Sequence, residues 1–198
     1  DKVSEGIIEN KNGTEALSAR IFIDCTGDAD LASMAGVQMQ PDEGSLQPLS
    51  SYFILGGVNI GTPMMQEAIR HNKQGENCHC LPVREKLLER KEELGIPEFG
   101  GPWFCRTGQD GVVTVNMTRT AGNAIDNRDF VRAECILRED AFRMAKLLKD
   151  NFEEFKDSYL FAVSVQGVIR ETRRIKGIHT MTAEEYVNAY HYSDSIAR

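Results

Sequence analysis

No apolar run in the 198-residue sequence approaches the roughly 18 to 20 residues needed to span a bilayer. The first residues, Asp1-Lys2-Val3-Ser4-Glu5, lack the apolar core of a signal peptide. A cytoplasmic location is the expectation, with no membrane partner. Basic residues are short against acidic ones, 23 Lys and Arg facing 30 Asp and Glu for a net charge of −7. That balance opposes a broad phosphate-binding face and makes nucleic acid a poor partner. Cysteine is sparse and odd in number, five residues in a chain long enough to fold without staples, so a disulfide framework is not expected. Internal repeats and low-complexity segments are absent, and no Gly-x-Gly-x-x-Gly occurs: Gly56-Gly57 with Gly61 has the wrong spacing. The four histidines, His71, His79, His179 and His191, are scattered without an identifiable Ser or Cys partner, which leaves a hydrolase unsupported.

What remains is the composition of a globular protein, 41% apolar and 27% charged. The length suits one large domain or a domain with an appendage. Residues 3–9 and 17–25 read as strands of a hairpin whose tight turn draws positive φ angles from Asn12-Gly13. The second of these strands ends in the apolar burst Ile21-Phe22-Ile23, expected to be buried, and runs into a Thr-Gly-Asp turn and a short helix stopped by Gly36. Residues 51–59 form a strand. Thr62-Pro63 opens a helix toward Lys73, and residues 83–94 form another, ended by Gly95-Ile96-Pro97. After a break at Gly100-Gly101-Pro102, strands at 103–107 and 111–118 are joined by a hairpin-like turn.

The longest helix is expected over residues 128–151, where Phe130, Leu137, Ala141, Met144 and Leu148 recur on one face as core. Residues 159–168 alternate like a strand, which 169–175 continue, and Thr182-Ala183-Glu184-Glu185 is a capping box that starts a last helix. The fold class is α+β, with a mixed or antiparallel sheet and packed helices.

Few residues carry chemistry. Cys78-His79-Cys80 with His71 or Cys105 has metal-binding side chains, but Cys-x-Cys is not the usual knuckle spacing and no second pair follows, so no metal is expected. Thr26-Gly27-Asp28 suits either a nucleotide cofactor approaching a glycine or a plain strand-to-helix connection with Asp28 as cap. Arg170, Arg173 and Arg174 form the densest basic cluster, and guanidinium forks suit carboxylate or phosphate. Strand alternation puts Arg170 and Arg173 on opposite faces, so one straight segment cannot aim all three at one ligand. Asn116 and Arg119 offer an amide and a charge near a strand end, where pockets form. Trp103-Phe104 reads as a core aromatic pair or as the lid of an apolar pocket.

Residues 19–32 (Ala-Arg-Ile-Phe-Ile-Asp-Cys-Thr-Gly-Asp-Ala-Asp-Leu-Ala) followed by Ala35-Gly36-Val37 resemble the Ala-Thr-Gly segment of the FAD-dependent oxidoreductase family. Val115-Asn116-Met117-Thr118-Arg119, residues 169–177 and Asp194-Ser195-Ile196-Ala197-Arg198 resemble the same family in the same order. Cys25 stands where the family usually has Ala, and Ala29 where it usually has Gly. The resemblance implies that residues 1–36 belong to the edge of a flavin-binding domain, with Thr26, Gly27 and Asp28 beside FAD. Residues 37–198 would be the substrate or cap domain, with Asn116, Arg119, Arg170 and Arg173 meeting a small organic substrate. It further implies an internal part of a longer flavoprotein, inactive and holding FAD weakly or not at all without the remainder of the flavin domain. The competing class is a non-catalytic binding or interaction domain.

Overall fold

The computed structural model describes residues 3–40, 46–73 and 80–195. The chain divides into two compact units, Asp1–Glu43 with Arg173–Arg198, and Gly44–Thr172. Among the described residues, no helix is long and apolar enough to cross a membrane.

In the first unit, β1 (Glu5–Asn10) pairs antiparallel with β2 (Gly13–Ser18). The turn sits one residue earlier than the Asn-Gly pair suggests. Asn10 and Gly13 close it, the Asn10 side chain accepts from the Asn12 N–H at 2.7 Å, and Gly13 alone carries the positive φ, 108°. β2 therefore ends well before Ile21-Phe22-Ile23. That segment is not a buried strand: it has no ladder partner among the described residues, and Ile21 and Ile23 are each 78% exposed. Phe22 turns inward, its ring lying beside Gly6. Helix α1 (Asp30–Met34) follows, stopped as expected at Gly36, which has φ 78°. Gln38, Met39 and Gln40 pair with residues 174–176 through an antiparallel bridge. The short α6 (Ala183–Val187) keeps its capping box, with Thr182 and Glu185 each satisfying the other's N–H.

In the second unit, β3 (Tyr52–Gly56), β4 (Phe99–Arg106), β5 (Val113–Thr118) and β6 (Tyr159–Val163) form one antiparallel sheet in the order β4-β5-β3-β6. Alternation sorts its two faces. Phe53 and Leu55 of β3, Phe104 of β4, and Val113, Val115 and Met117 of β5 are buried together against the helices. Helices α2 (Pro63–Lys73), α3 (Leu81–Glu89) and α5 (Asn127–Asn151) contribute to that core, with a 3-10 turn (Glu153–Phe155) that lays Phe155 against Phe104 at a centroid distance of 5.4 Å. Asp126 caps α5 by accepting from the Arg128 and Asp129 N–H groups. The expected stripe is buried from Leu137 to Leu148, while Phe130 is half-buried in a smaller cluster with Leu49, Ala133 and Leu137.

Three sequence expectations shift here. The helix over 83–94 breaks at Arg90 into α3 and the short α4 (Lys91–Leu94). The Arg90 guanidinium is forked onto Glu93 and also donates to the Asn151 side chain. β4 begins at Phe99 and runs through Gly-Gly-Pro, because Gly101 takes φ 68° in a register shift between Phe99 and Trp103. β6 ends at Val163, and residues 169–175 form no strand. Beyond it the bridges are isolated ones, Val168 with Ser50 and Ile175 with Met39.

Asp140 on α5 is 4% exposed, and burial pushes its carboxyl above the usual carboxylate range, only partly countered by Arg143 at 3.5 Å. The unfolded chain ionises at lower pH than the fold does, so this group penalises the native state as pH rises above about 3.8. Asp140→Asn is expected to raise the melting temperature at pH 7, with the gain shrinking to nothing as pH falls below that value in a thermal-melt series.

Candidate functional site

Two places collect the chemically capable residues, one in each unit. In the first, the Asp24 carboxylate accepts from the Thr26 N–H at 3.0 Å, the Thr26 hydroxyl at 2.7 Å and the Ala32 N–H at 2.9 Å. The Ala32 N–H, then Thr26, hold its carboxyl below the usual carboxylate range. The Thr26 oxygen in turn accepts from the N–H groups of Asp28 at 3.3 Å and Asp30 at 3.1 Å. Asp28 is therefore not the helix cap. Asp24 and Thr26 serve the helix start, and the capping position itself is Ala29, with φ 54°. Asp-x-Thr-Gly is a sequence signal for such side-chain-closed turns, and it points to Asp24 as the organiser.

These bonds occupy the Thr26 hydroxyl, and they leave Gly27 at the tip. Gly27 has φ 81°, and a Cβ there would meet nothing within 4 Å. An ordered turn with an open glycine fits one backbone contact to a flat cofactor. It does not supply a pyrophosphate cradle. Arg173 belongs to this unit: its Nη1 donates to Asp30 at 2.5 Å and to the Asp28 carbonyl at 3.2 Å, bracing the turn.

In the second unit, a cavity of about 510 Å³ lies on the sheet face opposite the core. Pro48, Ser50 and Tyr52 line it at alternate positions of the β3 segment, while Leu49 and Ser51 between them are buried and do not line it. Tyr52 stands opposite Asn116, and Asn116 opposite Trp103, so all three share this face. The Asn116 amide donates to the Tyr52 hydroxyl at 3.3 Å. Trp103 and Phe104 thus part company, the first lining the cavity and the second in the core.

Simple alternation from Asn116 would send Arg119 toward the core. The register prevents this. β3 and β5 pair as Tyr52 with Asn116, but the next bridge joins Leu49 to Thr120, one residue out of step. The bulge is closed by Thr118, whose hydroxyl accepts from the Ser51 N–H at 2.8 Å and donates to the Ser51 carbonyl at 2.9 Å. Thr118 and Arg119, though adjacent, both reach the cavity. Gly100 makes room there: a Cβ on it would lie 3.0 Å from Arg119 Nη2. Arg170, two residues past the bridge from Val168 to Ser50, lines the same cavity. The structure therefore brings Asn116, Arg119 and Arg170 together and places Arg173 in the other unit. Sequence reasoning missed Tyr52, Ser50 and Gly100.

Cys78 and His79 lie outside the described residues. Cys80 is buried, its thiol pushed up by that burial, and its N–H donates to the Pro102 carbonyl at 2.9 Å. Among the described residues no three His, Cys, Asp or Glu side chains converge as metal ligands.

The lowered Asp24 carboxyl should hold the turn at neutral pH and release it as pH falls through its own ionisation, below 3.8. Carboxyl-detected NMR is expected to place the Asp24 midpoint below that of ordinary aspartates. Asp24→Ala should speed exchange of the Thr26 and Ala32 amides, and an unchanged rate for both would remove Asp24 from this role. Comparison with curated proteins and with solved structures gave no match. A family model described as FAD dependent oxidoreductase matches residues 1–198. With the match running over its whole length, from the Asp24-closed turn through the arginine-lined cavity, the chain belongs to the FAD dependent oxidoreductase family.

Proposed function

We propose that this chain forms the substrate side and one edge of the cofactor side of an FAD-dependent oxidoreductase acting on a small organic molecule. When bound, FAD supplies the two-electron exchange with that molecule. Thr26, Gly27 and Asp28 form the edge, with the Gly27 backbone exposed to the cofactor and Asp24 and Arg173 holding the turn in shape. The second unit acts as the substrate or cap domain. The observation that carries this reading is the cavity on the sheet face opposite the core, where Asn116, Arg119 and Arg170 meet Tyr52 and Trp103. Its volume, about 510 Å³, is in the range of small-molecule sites. Asn116 and the two guanidiniums orient the substrate, and the aromatic side chains keep water from one of its faces.

We also propose that the chain alone does not retain FAD, because no Gly-x-Gly-x-x-Gly phosphate cradle occurs in its 198 residues. The isolated chain is expected to stay colourless through an FAD titration. Joined to a flavin-domain segment carrying the glycine fingerprint, it should turn yellow. In that joined protein Gly27→Val, which places a branched side chain at φ 81°, should weaken FAD binding by about tenfold or more. Wild-type affinity in Gly27→Val, or no flavin uptake by the joined protein, would contradict the cofactor assignment.

A further inference from the structure

We infer that the cavity of the second unit takes a small organic acid and grips it by its carboxylate, an inference that rests on the cavity being the substrate site proposed above. The chain carries seven more negative than positive charges, yet no Asp or Glu lines this cavity while two arginines do. Most other arginines of the unit face a carboxylate, among them Arg90 with Glu93, Arg132 with Asp129 and Arg138 with Glu134. Among the described residues neither Arg119 nor Arg170 has an ion-pair or hydrogen-bond partner. Two unmatched guanidiniums aimed at one space form a receptor for an anion.

Ser50 adds an independent sign. The residue is 5% exposed, lines the cavity, and among the described residues its hydroxyl has no hydrogen-bond partner. A buried hydroxyl left unsatisfied is costly, and a ligand oxygen accepting from it removes that cost. Ser50 and the two arginines together offer donors to both oxygens of a planar carboxylate. A phosphate is the poorer match, because such groups are usually cradled by backbone N–H groups at a helix start, and no lining residue belongs to a helix. The carbon skeleton of the acid would lie against Trp103 and Tyr52.

Trp103 is the single tryptophan, so its indole N–H gives one NMR signal that reports on this cavity. Titrating the 198-residue chain with benzoate, the neutral isostere benzamide, and phenyl phosphate tests the inference. Benzoate should move the indole signal and bind at least about tenfold more tightly than benzamide. Arg119→Met and Arg170→Met should each weaken benzoate by about tenfold and leave benzamide alone, with Arg119→Lys falling between. Ser50→Ala should weaken benzoate while keeping the melting temperature, since it removes an orphaned hydroxyl. Equal affinity for benzoate and benzamide, tighter binding of phenyl phosphate, or wild-type benzoate affinity in both arginine variants would overturn the carboxylate assignment and leave the cavity as a ligand site. An indole signal unmoved by all three probes would overturn the site itself.

Discussion

A single side chain, Thr118, keeps the central strand of the larger unit in register where its neighbour bulges. Its hydroxyl is bonded to both the N–H and the carbonyl of Ser51, with Ser51 3% and Thr118 2% exposed. Buried main-chain groups must find partners, and here a hydroxyl does what a facing peptide would do elsewhere in the ladder. The consequence is geometric. Val113, Val115 and Met117 stay in the core, and the chain then advances one residue, turning Arg119 to the face that already carries Asn116. Gly100 and Gly101 on β4 complete the arrangement. A Cβ at Gly101 would lie 2.5 Å from the Trp103 ring and 2.8 Å from the Asn116 carbonyl, so β4 can approach β5 here only with glycine.

The smaller unit uses the same device with different atoms. Asp24 and Thr26 accept from Thr26, Asp28, Asp30 and Ala32, N–H groups at the tip of an irregular segment and the start of a helix too short to hold itself. In both places polar side chains stand in for regular main-chain pairing, and what they expose is what the proposed function would use: an open glycine in one unit, an arginine lining a cavity in the other.

Local patterns were legible in the sequence. The apolar spacing along α5, the alternation from Val113 to Met117 and the capping box at Thr182 each depend on neighbours within a few residues, and each appears in the structure. The acidic composition and the family resemblance are also visible in the sequence, and Asn116, Arg119 and Arg170, singled out there by residue type, line one cavity in the structure. What could not be read depends on partners distant in sequence. Ile21-Phe22-Ile23 has strand propensity but no strand beside it among the described residues, so propensity alone misleads. The pairing of residues 38–40 with 174–176, which joins the two ends of the chain in one unit, leaves no local mark. The one-residue slip at Thr118 is invisible as well, because Val-Asn-Met-Thr-Arg reads as uninterrupted alternation.

Replacing Thr118 by valine keeps the volume and deletes the hydroxyl, which isolates the interaction on which the larger unit's cavity depends. Two buried main-chain groups of Ser51 would then lack partners, a loss of about 2–4 kcal/mol in unfolding free energy. Amide exchange at Leu49 and Thr120, whose mutual bonds of 2.9 and 3.0 Å lie just beyond the bulge, should accelerate together in Thr118→Val. Native stability with both amides still protected would contradict the account, and would mean that the register and the aim of Arg119 are held by something other than Thr118.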